Sequence, residues 1–183
     1  MQRPAPFLRA ALLLACLAAR PAAAALDVGA PAPAFTARAA LAGQQFDFDM
    51  AQALSKGPVV LYFYPAAFTT GCTIEAHNFA EAADDYRALG ASIIGVSGDD
   101  MDTLAKFSVS ACGGKFPVAS DAGHGIMKAY DAYRAMRPGV AERISYVVSP
   151  QGKVIFVHDS MSPHEHVGKT LEALRRWRAQ QKQ

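Results

Sequence analysis

The run Val59–Tyr64, VVLYFY, set between Pro58 and Pro65, restricts this chain more than any other stretch. Unbroken β-branched and aromatic side chains suit a strand buried on both faces, so the chain must supply cover above and below it. Ile74, Phe79, Ala82, Ala83, Tyr86 and Leu89 then recur at spacings that predict a helix, and Gly90 stops it. Ala91–Ser97 is a second buried strand. Strand, helix and strand in this order begin a sheet covered by helices.

The rest of the pattern extends that unit. Asp99 or Asp100 caps a helix through about Ala111, Phe116–Ala119 is a short extended piece, and Gly125–Tyr133 reads as helical. Arg143–Ser149 and Lys153–Asp159 flank Ser-Pro-Gln-Gly, which predicts a hairpin closed by a turn. A last amphipathic helix carries Val167, Leu171 and Leu174 on one side, with Arg175, Arg176 and Arg178 near its C-terminal dipole. The Ala/Pro stretch near 30–40 reads as a lead-in loop, and no repeat or low-complexity linker is present. The expected class is α/β: a thioredoxin-like fold, a mixed central sheet with helices on both faces, with extra N-terminal residues and an insertion before the hairpin.

A chain of 183 residues is enough for one domain with a substantial core. Residues 1–25 differ from the remainder, because Arg3 and Arg9 precede the apolar run Ala10–Ala19 and small residues Ala22–Ala25 follow Pro21. That is the layout of a signal peptide cleaved near Ala25, leaving residues 26–183 as the domain. The run is about half the ~20 residues a spanning helix needs. The rival reading is a lipoprotein, with Leu13, Leu14 and Ala15 as a poor lipobox and lipid on Cys16 as the membrane tether. Arg3, Arg9 and Arg20 are the only charged residues in the leader, so removing it leaves 15 of the 18 basic side chains against 16 acidic ones. The mature chain therefore has no global electrostatic case for nucleic acid. It keeps two cysteines, Cys72 and Cys112. Outside the cytoplasm such a pair can persist as a disulfide.

Cys72 falls where the first buried strand passes through a loop into the first turn of a helix. Unpaired backbone N–H groups there face an incoming anion, which favours a thiolate. The alternative is a buried cysteine acting as a small hydrophobe.

Pro65, Thr69 and Cys72 stand in the spacing P-x-x-x-T-x-x-C, and at these residues the sequence resembles the peroxiredoxins. FYPAAFTTGCTIEA is similar to their Q-type, or bacterioferritin-comigratory, subgroup. LDVGAPAPAF at 26–35 and RISYVVSPQGKVIFVHD at 143–159 resemble the family's opening segment and its arginine-bearing strand and hairpin. The likeness covers essentially all of 26–178. It implies that Cys72 is the peroxidatic thiolate, and that Thr69 hydrogen-bonds the sulfur and the incoming peroxide. Pro65 would wall the pocket without supplying a competing donor, although a proline also simply ends a strand. Arg143 would hold the thiolate and polarise the peroxide, and Glu75, three residues after Cys72, could orient it. On its own, Arg143 reads as a surface arginine and Glu75 as a helix-dipole partner.

Many subgroup members carry a second cysteine five residues after the first, where this chain has His77. Cys112, in SACGGKFP, is then the candidate resolving thiol, since a sulfenate condenses with an accessible thiol and some Q-type relatives resolve through a cysteine in that helix. An inert Cys112 with a one-cysteine cycle and a static disulfide remain as alternatives. His77, His124, His158, His164 and His166 show no compact ligand spacing and read as solvated, while Asp84-Asp85 and Asp99-Asp100 read as a helix surface and a cap. A thiol-disulfide oxidoreductase would want C-x-x-C, but Glu75 occupies the later position; a copper-delivery module would want C-x-x-x-C, but position 76 is alanine. A partner-binding domain with a dead site would not need all four motif residues. The resemblance implies an exported, periplasmic thiol peroxidase for hydrogen peroxide and organic hydroperoxides, without metal or organic cofactor. It would be recycled by a thioredoxin-like donor and occur as a monomer or weak dimer.

Overall fold

The structure, a computed structural model, describes residues 25–181. The leader expectation, including Cys16, falls on residues 1–24 and lies outside that range. Seven strands form one sheet in the order β2-β1-β5-β4-β3-β6-β7. Its centre is β3 (Val59–Phe63), parallel to β4 (Ser92–Ser97) and antiparallel to β6 (Ile144–Val148). β5 (Val118–Ser120) extends the parallel side, and β7 (Val154–Asp159) closes the hairpin with β6. All five residues of β3 and of β6 are buried, as a strand covered on both faces requires.

Side-chain alternation along β3 divides the core. Val60, Tyr62 and Tyr64 face α2 (Thr70–Glu81), α3 (Ala83–Ala88), α4 (Met101–Ser110) and α6 (His166–Gln180), through Phe79, Tyr86, Phe107 and Leu174. Val59, Leu61 and Phe63 face α1 (Met50–Leu54) and α5 (Gly125–Ala129), through Met50, Leu54 and Met127. Tyr62 lies across Gly95 so closely that a Cβ there would sit 2.7 Å from its ring. The expected mixed sheet with helices on both faces is therefore present, with the longer helices gathered on the Tyr62 face. Among the described residues no helix is long and apolar enough to cross a membrane.

Three local expectations need correction. The stretch read as a loop near 30–40 contains most of β1 (Thr36–Leu41), which pairs with β2 (Gln44–Asp49). Alanine is a weak strand former, which hid the pattern. The signal lay in the two-residue turn Ala42-Gly43, where both φ angles are positive (49° and 81°), as a tight hairpin demands. The helix expected to run to Leu89 is two helices meeting at Ala82 (ψ 1°), and the second carries Tyr86 to a 2.6 Å hydrogen bond with Thr170. The helix expected through Tyr133 ends at Ala129. Beyond it, Asp131 takes a left-handed φ of 52°, and Tyr133 bridges to Ala141 within the insertion that precedes the hairpin.

The hairpin itself matches closely. Gly152 donates to the Ser149 carbonyl at 2.9 Å with φ 70°, so Ser-Pro-Gln-Gly is the turn.

Candidate active site

Strand β3 runs out at Tyr64, whose N–H donates to Val96 at 3.2 Å, and half-buried Pro65 turns the chain away. The loop that follows is fastened from the neighbouring strand. Asp99 accepts from the Ala67 N–H and from the Ser97 hydroxyl, each at 2.7 Å. Asp100, not Asp99, caps α4, through the Thr103 N–H at 2.8 Å. Phe68 holds a left-handed φ of 62° and lays its largely exposed ring edge-on against Phe107. Thr69 then begins α2 in an extended conformation.

Cys72 is the third residue of α2, where N–H groups are still free of intrahelical partners, and it is only 1% exposed. Arg143, immediately before β6 and also buried, aims Nη2 at its sulfur from 3.4 Å and pairs Nη1 with Glu75 Oε2. Glu75 is wholly buried one helical turn beyond Cys72, so the two anion-forming groups flank one guanidinium fork. Gly71 makes that approach possible, because a Cβ there would stand 3.1 Å from Nη2. Removing one member of such a desolvated set strands the others without compensation.

Behind Glu75 lies a second layer. Its Oε1 is 3.6 Å from Nδ1 of His166, a ring that is fully buried at the start of α6. Nδ1 is also 2.8 Å from the Ser145 hydroxyl, and Nε2 is 2.9 Å from the Ser160 carbonyl. Burial pushes the Glu75 carboxyl upward while Arg143 pulls it down; burial drives His166 down to about 4.

The expected site residues thus divide. Cys72, Glu75 and Arg143 come together. Pro65 and Thr69 sit on the same short loop, but Thr69 is exposed and its hydroxyl donates to the Ala66 carbonyl at 2.9 Å, not to the sulfur. Cys112 follows the end of α4, fully buried in the same apolar cluster as Cys72. Both are free thiols, and burial pushes Cys112 up to about 12.

The solvated reading of the histidines is wrong for His166 and for His158, whose Nε2 is buried, while His77 and His164 are exposed. Sequence reasoning missed His166, Ser145, Gly71 and the anchoring role of Asp99. One signal was available: Ser145 interrupts an otherwise apolar buried strand two residues after Arg143, and a buried hydroxyl needs a partner.

Residues 28–157 match the AhpC/TSA family. Peroxiredoxin Q of Triticum aestivum, a chloroplastic protein, is 34% identical over 118 residues, covering 64% of this chain and 54% of that protein. Its counterpart in Oryza sativa subsp. japonica is 34% identical over 153 residues, covering 80% and 65%. The chain therefore spans between half and two thirds of the length of these relatives. Among solved structures, the peroxidoxin BcpB from Mycobacterium tuberculosis superposes with a TM-score of 0.75 at 30% identity, covering 82% of this chain and 97% of that one.

Proposed function

Since the chain belongs to the AhpC/TSA family, in its Q-type peroxiredoxin branch, we propose that it is a thiol-dependent peroxidase acting on hydrogen peroxide and organic hydroperoxides. The observation that carries this reading is the Arg143 Nη2 at 3.4 Å from the Cys72 sulfur, at the N-terminal turn of a helix. A fixed cation and free N–H groups stabilise a sulfur anion before peroxide arrives, and the same guanidinium faces the charge that develops on the departing oxygen.

In the step itself the Cys72 thiolate gives an electron pair to one peroxide oxygen. The S–O bond forms as the O–O bond breaks, and the departing oxygen takes a proton from solvent and leaves as water or alcohol. The resulting sulfenic acid is attacked by the Cys112 thiol, releasing water and leaving a Cys72–Cys112 disulfide. Both side chains are buried in one cluster, and bridging requires Cα atoms within about 7 Å, reached by local opening either of the first turn of α2 or of the turn at Gly113 and Gly114. A thioredoxin-like dithiol then reduces the disulfide. Thr69, at the mouth of this loop, would turn its hydroxyl from Ala66 toward the peroxide once substrate binds, while Pro65 shields the sulfur.

The leader composition supports export to the periplasm, with a donor in that compartment; lipidation at Cys16 is the alternative. The test is intact mass and free-thiol count of the pre-reduced protein after one equivalent of hydrogen peroxide, beside Cys72→Ser and Cys112→Ser. Loss of two thiols and about 2 Da in the wild type, with a trapped sulfenate only in Cys112→Ser, is the expected result. Oxygen gained at Cys72 with Cys112 still reduced would mean a one-cysteine cycle. An unreactive Cys72 would end the peroxidase reading.

A further inference from the structure

The second layer behind Arg143 has a charge problem that its geometry resolves. Nε2 of His166 faces the Ser160 carbonyl at 2.9 Å, and a carbonyl only accepts, so this nitrogen carries a proton. A neutral ring then leaves Nδ1 with its lone pair toward Ser145 and Glu75. Glu75 Oε1 is fully buried, 3.6 Å from that nitrogen, and has no hydrogen-bond partner. Were Glu75 a bare carboxylate, two acceptors would confront each other in a desolvated space. The charge count points the same way. Arg143 is the cation shared by Cys72 and Glu75, so a thiolate with a carboxylate would leave the buried cluster one charge negative.

We propose that Glu75 and His166 hold one proton between them while Cys72 is an anion, and that His166 is thereby a positioning residue that frees Arg143 for the sulfur. The inference rests on the peroxidase reading of Cys72. Burial acts in the matching sense on both groups, raising the carboxyl and lowering the imidazole, which places the proton on Glu75. The other groups facing His166 are consistent with a neutral ring. His158 from β7 stacks edge-on at 4.8 Å between ring centres, and its own carboxylate neighbour, Glu165, is 3.5 Å away on the solvent side. When peroxide converts the thiolate to a neutral sulfenic acid, Arg143 loses its anion, and Glu75 can ionise in its place.

Infrared spectra of the reduced full-length protein at neutral pH test this directly. The C=O stretch of one buried protonated carboxylic acid is expected, lost in Glu75→Gln and weakened in His166→Gln and after peroxide treatment. No difference in that region between wild type and Glu75→Gln overturns the proposal, as does an imidazolium pattern for His166 in the 15N spectrum of the unmodified chain. The rate of Cys72 oxidation should fall as pH rises through the ionisation of Glu75, and that fall should vanish in Glu75→Gln; an unchanged alkaline fall also overturns it. A structural role alone would move the rate but not its pH profile. If Cys72 ignores peroxide in every variant the peroxidase reading fails, while the infrared band still decides whether the proton is shared.

Discussion

The two thiols of this domain make a natural comparison, because they share an apolar cluster and differ in almost everything else. Cys72 stands in the first turn of α2, and Cys112 stands just past the last turn of α4. Helix N-termini present free N–H groups to an anion, whereas C-termini present carbonyls that repel one. Cys72 has a guanidinium at 3.4 Å; burial without a charge partner holds Cys112 up at about 12. Two cysteines of nearly equal burial thus sit in opposite surroundings, one beside a fixed cation and one held as a neutral thiol. Burial alone says little about reactivity; the helix end and the nearest charge decide it.

The strongest way to break this contrast is to remove the charge. Arg143→Met leaves the Cys72 sulfur in an environment like that of Cys112 and strands Glu75. Peroxide oxidation of Cys72 is expected to slow roughly 10²–10³-fold. Urea unfolding should show a loss of about 3–5 kcal/mol, since one partner of a buried ion pair is gone. Oxidation at an unchanged rate would show that Arg143 does not act on the sulfur.

The second test asks whether Cys112 is as inert as its burial implies. With a thiolate-selective alkylating reagent at pH 8, Cys72 in the folded protein should react and Cys112 should not. A value raised from 9.0 to about 12 lowers the Cys112 thiolate fraction about a thousandfold, before access is considered. The block should lift in denaturant, and peptide mapping after alkylation reads both outcomes. Gly71→Ala is a gentler intrusion on the Cys72 side. Its methyl would meet Nη2 at 3.1 Å, so Arg143 must shift by a few tenths of an ångström. We expect about a tenfold slower peroxide reaction with little loss of stability, measured by stopped-flow oxidation and thermal unfolding.

The sequence disclosed the two halves of this contrast unequally. Val59–Tyr64 marked the central strand, because an unbroken apolar run has few other uses, RISYVV followed from its β-branched and aromatic residues, and the Cys72 loop followed from the strand before it. The Arg143–Glu75 fork could be suspected from Cys72 and Glu75, three apart on a helix, and from the resemblance. His166 could not be reached this way. It arrives from the last helix, 91 residues after Glu75 in the numbering, and its partners Ser145 and Ser160 are short side-chain and backbone groups with no motif of their own. Strand β1 was hidden because Ala39 and Ala40 carry its buried positions, where alanine gives no strand signal. Local chemistry is visible in a chain; contacts closed by tertiary packing are not.

The smallest predicted effect lies at the other helix end. Gly113 and Gly114 follow Cys112 with φ of 55° and 66°, and Gly114 donates back to Ser108 at 2.9 Å to finish the turn. A Cβ on Gly113 would make only ordinary van der Waals contacts, at 3.8–4.0 Å, so Gly113→Ala introduces left-handed strain without a clash. That strain should destabilise the closed turn by about 1 kcal/mol. If Cys112 must leave the core to reach the Cys72 sulfenate, a less stable closed turn raises the population of the open form. Disulfide formation should then accelerate by up to about fivefold, as that free energy implies. The preceding oxidation of Cys72 should keep its rate, because Gly113 touches none of the groups around the sulfur. Separate phases in a stopped-flow trace distinguish the two steps. Acceleration of the second phase alone would locate the slow opening at the Cys112 turn. An unchanged second phase would move it to the first turn of α2, making Cys72 the thiol that travels.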